Sequence, residues 1–319
     1  MSLPLEPPVK PQLALSRREL PVGEDLVYEV KLDGFRCLAF VDGDDVFLQS
    51  RSGKELARYF PELVLPPGRY VLDGEIVVRG PDGREDFDAL GQRIHPAASR
   101  IERLSVETPA VYVVFDLLAR GDESLLQRPL SERHAALEQL LARDGFAGAP
   151  VELMETVATP EEARLWLERA EGAIVKELSA AYLPGERKGT FKVKRVRTID
   201  AVVAGWRPGK EEGTVGALIL ALYDGGELRV VGHCSGLSAQ EKRRLVGFLA
   251  GYETGERGSA DPSRWSAGKE LEWIALRPEL VVEIDFDHVA AGRIRHGAKL
   301  RRWREDKDPR ECTFDQLAG

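Results

Sequence analysis

Cysteine is scarce: Cys37, Cys234 and Cys312 are the only three in 319 residues, odd in number and far apart. That excludes a disulfide framework and a cysteine-built zinc cluster, and leaves reduced thiols packed as small groups. No apolar run approaches the ~20 residues a bilayer requires, so no membrane partner is expected. The start, Met1-Ser2-Leu3-Pro4-Leu5-Glu6-Pro7-Pro8, lacks the basic stretch and apolar centre of a secretory leader, which predicts a cytoplasmic protein. The histidines His95, His134, His233, His288 and His296 show no spacing of a metal site or catalytic triad and are assigned no catalytic role. Internal repeats and low-complexity segments are also missing.

What is present is 43% hydrophobic and 31% charged sequence, the balance of a soluble globular chain, at a length that two domains fill comfortably. The formal net charge of −8 argues weakly against a nucleic-acid partner, since Lys and Arg drive such binding. The cations are clustered, however. Arg293, Arg295, Lys299, Arg301, Arg302, Arg304, Lys307 and Arg310 follow one another against only Glu305, Asp306 and Asp308. A local field of this kind steers a phosphate backbone whatever the global charge.

Segments rich in Val, Ile, Phe and Tyr predict strands over Val27–Leu32, Cys37–Val41, Tyr70–Val78, Val111–Leu118 and Ala173–Val175. Helical patterns lie between them: Ser131–Arg143, with Ser131 as N-cap, and Pro160–Ala170 behind Thr159 as cap. After the alternating segment Thr190–Val196 come short strands at Ile199–Trp206, Gly216–Tyr223 and Glu227–Gly232, split by turns such as Asp224-Gly225-Gly226, and one helix, Ser238–Leu249, with Leu245, Phe248 and Leu249 on its apolar face. An α+β domain over residues 1–199 followed by a small β-barrel over 200–319 is therefore expected.

The most informative stretch is Tyr28-Glu29-Val30-Lys31-Leu32-Asp33-Gly34-Phe35-Arg36, where strand alternation puts Glu29, Lys31 and Asp33 on one face. Taken alone, K-x-D-G reads first as a strand running into an Asp-Gly turn. Four further segments place charges in apolar strands, where burial without a task or a partner is costly: Leu72-Asp73-Gly74-Glu75-Ile76-Val77, Val114-Phe115-Asp116-Leu117-Leu118, Glu171-Gly172-Ala173-Ile174-Val175-Lys176 and Phe191-Lys192-Val193-Lys194. Lys192 and Lys194 share a face, and two neighbouring ammonium groups repel unless an anion such as a triphosphate lies between them.

The ordered set Lys31-x-Asp33-Gly34-x-Arg36, Ser50-Arg51-Ser52-Gly53, Asp73-Gly74-Glu75, Phe115-Asp116, Glu171-Gly172, Lys192-x-Lys194 and Arg304-x-Asp306-Lys307 resembles the covalent nucleotidyltransferase family of ATP-dependent DNA ligases and capping enzymes. Gln92-Arg93-Ile94-His95-Pro96, Val202-Val203-Ala204-Gly205-Trp206 and Arg302-Trp303-Arg304-Glu305-Asp306-Lys307-Asp308-Pro309 look more closely like the bacterial ligase C group, small relatives of the ligase D end-joining enzymes.

The resemblance implies a nucleotidyltransferase (adenylation) domain followed by an OB-fold domain. It implies ATP as AMP donor, magnesium or manganese as metal, and nicked or broken double-stranded DNA as substrate. Lys31 is then the nucleophile, with Asp33 beside it and Lys192 and Lys194 as the cations that lower its pKa. Glu75 contacts the ribose and, with Glu171, the metal, although either carboxylate is otherwise a buried partner for an arginine. Phe115 stacks on adenine, where an isolated Phe in such a strand reads as core, and Glu29 accepts from the adenine amine. Arg36 and Arg51 take phosphates, and Arg304, Asp306 and Lys307 orient the β and γ phosphates. Asp73 reads as structural. The end-binding protein Ku or a repair polymerase are the implied partners of a monomer working at the nucleoid.

An RNA ligase or a GTP-dependent capping-type enzyme would use the same lysine chemistry. A catalytically dead OB-fold module that only binds nucleic acid is the reading from another class.

Overall fold

The computed structural model describes residues 2–260, 271–287, 289–290, 292–295 and 297–317, so His288 and His296 lie outside the described residues. The chain divides into two compact units, Met1–Arg195 and Val196–Gly319. No helix among the described residues is long and apolar enough to cross a membrane.

The first unit contains strands β1 (Leu15–Arg17), β2 (Leu26–Val30), β3 (Phe35–Gly43), β4 (Asp45–Ser50), β5 (Gly68–Val78), β6 (Ala110–Arg120), β7 (Glu123–Ser124), β8 (Val151–Leu153), β9 (Thr156–Val157), β10 (Gly172–Glu177) and β11 (Thr190–Lys194). Its helices are α1 (Phe87–Gln92), α2 (Ala98–Glu107), α3 (Leu130–Leu141) and α4 (Pro160–Arg169). One sheet runs β1-β11-β10-β2-β9, the other β4-β3-β5-β6-β7 with β8 added to β6. Val30 and Leu32 meet Val77, Val113, Phe115 and Met154 in an apolar cluster that joins the two sheets. Behind the second sheet, Leu137 and Leu140 of α3 pack with Leu72, Ile76, Tyr112 and Val114.

Several boundaries differ from the expected ones. The first predicted strand stops at Val30 instead of Leu32, because the chain leaves one sheet there and enters the other at Phe35. Gly34 makes the crossing: a Cβ on it would lie 2.4 Å from the Ile76 carbonyl oxygen and 2.7 Å from Glu75 Cγ. Ser131 does not cap α3. The N-cap is Pro129, without a side-chain bond, and the first amides donate instead to distant carbonyls, Leu130 N–H to Ala180 and Ser131 N–H to Leu178, both at 3.0 Å. Thr159 does cap α4, accepting from the Glu162 amide.

The second unit contains β12 (Arg197–Pro208), β13 (Val215–Asp224), β14 (Glu227–Gly236), α5 (Ala239–Ala250), β15 (Glu253–Ala260), β16 (Leu271–Leu276), β17 (Val281–Phe286), β18 (Val289–Ala290), β19 (Arg293–Ile294) and β20 (Ala298–Trp303). Along the order β13-β14-β20-β17-β12, the further pairing of β12 with β13 closes the ring into a barrel. Its interior holds Val202, Leu218, Leu220, Val231, Val282 and Ile284. Ser238 and Glu241 form a reciprocal capping box at the start of α5. Leu245 and Leu249 enter the core, whereas Phe248 stays 43% exposed and rests edge-on against Trp303, 5.2 Å between ring centres.

Candidate active site

Strand register in the first sheet aligns one row of side chains. Ile174 pairs with Glu29 on one side and with Lys192 on the other, so Glu29, Ile174 and Lys192 stand abreast, with Lys176 two residues along the same face of β10. In the second sheet Arg36 is opposite Glu75. These faces line a cavity of about 890 Å3 whose wall includes Glu29, Lys31, Arg36, Arg51, Glu75, Phe115, Met154, Lys176, Arg187 and Lys192.

Lys31 follows the end of β2. Its amide donates to the Gly172 carbonyl at 3.0 Å, and its ammonium forms a close ion pair with Glu171. Gly172 is what brings Glu171 there: it has φ +142°, and a Cβ would sit 2.1 Å from the Val193 carbonyl oxygen. Lys192 is pushed below the ordinary lysine range, first by burial and then by repulsion from Lys194, Lys31, Arg51 and Arg187. Such a crowd of cations suits a polyanion, whose charge would relieve the repulsion. Lys194 shares the β11 face with Lys192 and pairs in register with Gly172, although it is not among the cavity-lining residues. Asp33 does not line the cavity either, but its charge reaches Glu75.

Glu75 is half-buried, and burial pushes its carboxyl up to about 7, with Arg36 and Lys31 partly offsetting that rise. Among the described residues no group of three or more His, Cys, Asp or Glu side chains stands ready to hold a metal. Glu75 and Glu171, both of which feel the Lys31 charge, are carboxylates, the donor type that magnesium takes alongside phosphate oxygens and water.

Phe115 owes its position to a β-bulge. Asp73 pairs with Asp116 and Gly74 with Val114, so Phe115 is the extra residue of β6 and turns into the cavity. Its ring carries Lys176 Nζ at 4.3 Å and the Arg36 guanidinium at 4.5 Å from its centre. Arg36 is held in two hydrogen bonds by Asp73, at 2.6 and 2.7 Å. Tyr182 donates to the same carboxylate at 2.6 Å, so Asp73, fully buried, is structural. Glu29 is buried and accepts from Lys176 at 2.7 Å. Arg36 and Glu29 are thus engaged with protein partners, which strand alternation did not reveal.

Lys176, Arg187 and His134 went unassigned in the sequence. For His134 the signal was its helical spacing with Leu130 and Leu137, which turns it inward on α3. For Arg187, in the turn before β11, there was none.

Arg304, Asp306 and Lys307 lie in the second unit, just after β20. Arg304 donates to both Asp200 oxygens, at 2.9 and 3.0 Å, and to both Asp306 oxygens at 2.9 Å. The Arg304 bonds hold the Asp306 carboxyl down at about 2. Lys307 pairs with Glu311. The group is a preformed cluster with a fixed guanidinium at its centre.

A domain of two facing sheets around a lysine, cations and carboxylates, joined to an OB-fold barrel, defines a covalent nucleotidyltransferase. The family model for the ATP dependent DNA ligase domain matches residues 12–194, and that for the ATP dependent DNA ligase C terminal region matches residues 211–307. The chain belongs to the ATP-dependent DNA ligase family. It is 42% identical over 338 aligned positions to DNA ligase C1 of Mycolicibacterium smegmatis, covering 99% of this chain and 96% of that protein. Against DNA ligase C of Mycobacterium tuberculosis the identity is 42% over 347 positions, with 99% and 96% covered. The solved structure of mycobacterial DNA ligase D complexed with ATP and MES is 28% identical, with a TM-score of 0.53, covering 96% of this chain and 98% of that one. A Lig E DNA ligase, 18% identical at a TM-score of 0.59, shares the fold.

Proposed function

We propose that this enzyme seals nicks or ends in double-stranded DNA through a lysyl-AMP intermediate on Lys31. The observation that carries the reading is Lys31 placed at the wall of a cation-lined cavity, with Glu171 fixing its amine and Lys192 beside it. In the first step the unprotonated Lys31 amine attacks the α-phosphorus of ATP. The N–P bond forms, the bond to the β-phosphate oxygen breaks, pyrophosphate departs and the amine loses its proton. AMP then passes to a DNA 5′-phosphate, and a 3′-hydroxyl displaces it. Positioning and charge stabilisation supply the rate.

Phe115 and Glu29 take the adenine, Glu75 the ribose, and Arg36, Arg51, Lys192 and Lys194 the phosphates. Asp33 sits beside the nucleophile. Glu75 and Glu171 hold Mg²⁺ or Mn²⁺, which when bound neutralises phosphate charge. Arg304, Asp306 and Lys307 orient the departing pyrophosphate. The setting is bacterial DNA repair in the nucleoid-bearing cytoplasm, by a monomer assisted by Ku or a repair polymerase.

Incubation with labelled ATP or GTP tests the core of this reading. A protein adduct that survives denaturation is expected from ATP alone, and Lys31→Ala abolishes it while leaving sealing of a pre-adenylylated nick. Equal loss of both activities in a folded variant refutes the assignment, an adduct from GTP makes the enzyme a capping-type transferase, and faster sealing of matched RNA nicks makes it an RNA ligase.

A further inference from the structure

Two consecutive residues of α3 grip two consecutive residues of β6. Arg133 donates to both Asp116 oxygens at 2.8 and 2.9 Å. His134 Nε2 lies 3.0 Å from the Phe115 carbonyl oxygen, and since a carbonyl only accepts, Nε2 carries the proton. The same Nε2 stands 3.8 Å from Glu29 Oε1, which also receives Lys176. His134 therefore reaches both Phe115 and Glu29 without itself being among the lining residues, whereas Lys176 reaches both from the cavity wall. The grip matters because Phe115 sits in a bulge, where the regular ladder does not fix the backbone.

We propose that His134 is a positioning residue of the nucleotide site, fixing the Phe115 backbone by its hydrogen bond and packing beside the Glu29 carboxylate, so that the two keep the spacing that an adenine ring requires. This rests on the reading of Phe115 and Glu29 as the adenine contacts. The ring does its work as a neutral donor: burial, then the Lys176 charge, lower its pKa, against opposing pulls from Glu29 and Asp116. A charged ring would draw Glu29 away from Lys176 and alter the pocket.

Single-turnover self-adenylylation of the full chain, measured across ATP concentrations, tests this with His134→Leu, His134→Gln and Phe115→Ala. His134→Leu should raise the half-saturating ATP concentration about five- to tenfold, the weight of one lost buried hydrogen bond, with the maximal rate within about twofold. His134→Gln, which keeps a donor of similar reach, should restore it to within about threefold. If Leu does not fold, as judged by thermal melting, His134→Ala takes its place. Unchanged half-saturation, a fall in maximal rate alone, or no rescue by Gln overturns the proposal, provided Phe115→Ala itself weakens ATP. If Phe115→Ala leaves half-saturation unchanged, the adenine reading fails first and takes the positioning role with it.

Discussion

Glu75 is the residue whose environment says most about its task. A carboxyl that burial pushes up to about 7, against the pull of Arg36 and Lys31, is one that a further donor or cation would favour as the carboxylate. Holding a cation requires the carboxylate, so self-adenylylation at subsaturating ATP, which reports the ionisations of the free enzyme, should fall as pH drops through about 7, and Glu75→Gln should lower the rate and flatten that limb of the profile. The effect on stability has the opposite sense. A folded-state pKa raised above the unfolded value favours the fold below the unfolded pKa, and that advantage is lost as pH rises through about 7. Glu75→Gln should therefore raise the melting temperature at pH 8 and leave it nearly unchanged at pH 5. A variant less stable than the parent at pH 8 would contradict this account.

At the level of elements, β6 and α3 carry the pocket. Asp116 and Arg133 are 3% and 2% exposed, so each would be stranded without the other. Asp116→Ala leaves a buried guanidinium without a counter-charge, its remaining bonds going to the carbonyls of Arg128 and Ala180, and should cost about 3–5 kcal/mol in denaturant unfolding. Replacing both residues by apolar ones of similar size should recover much of that. A loss below about 1 kcal/mol for the single variant would show that the pair is not what anchors α3. The sequence pattern found β6 and the helix correctly, but not the bulge at Phe115 or the missing cap at Ser131. Both depend on partners distant in the chain, β5 for the bulge and the carbonyls of Leu178 and Ala180 for the helix start.

At the scale of the whole molecule, a role in self-adenylylation is proposed for the second unit as well as the first. Arg304 is held ready by Asp200 and Asp306, and its proposed target is the pyrophosphate end of ATP. Arg304→Ala should slow self-adenylylation on the order of 10²-fold, the usual loss of a positioned catalytic contact, and largely spare sealing of a pre-adenylylated nick. Single-turnover assays of both steps on one preparation decide it, and equal slowing of the two removes the role. DNA affinity should fall steeply with salt despite the net charge of −8. The basic run near the C-terminus contributes less to that slope than its composition implies, because Arg301 and Arg302 are already paired with Glu283, and Arg301 also with Asp285. A flat plot of log affinity against log salt would rule out phosphate contacts as the main attraction.

The residues proposed for the chemistry form a linear order of motifs that the sequence shows, since each couples a charge to the apolar strand or turn that carries it, and strand alternation correctly set Lys192 beside Lys194 on one face. Composition likewise excluded disulfides, a conclusion that three buried free thiols bear out. Which charges neutralise which could not be read from order alone. Glu171 on Lys31, Asp73 on Arg36, Lys176 on Glu29 and Asp200 on Arg304 join positions 37 to 147 residues apart. Partners at such separations are chosen by sheet register and by where the backbones approach closely enough to exclude water, and both are properties of the folded chain.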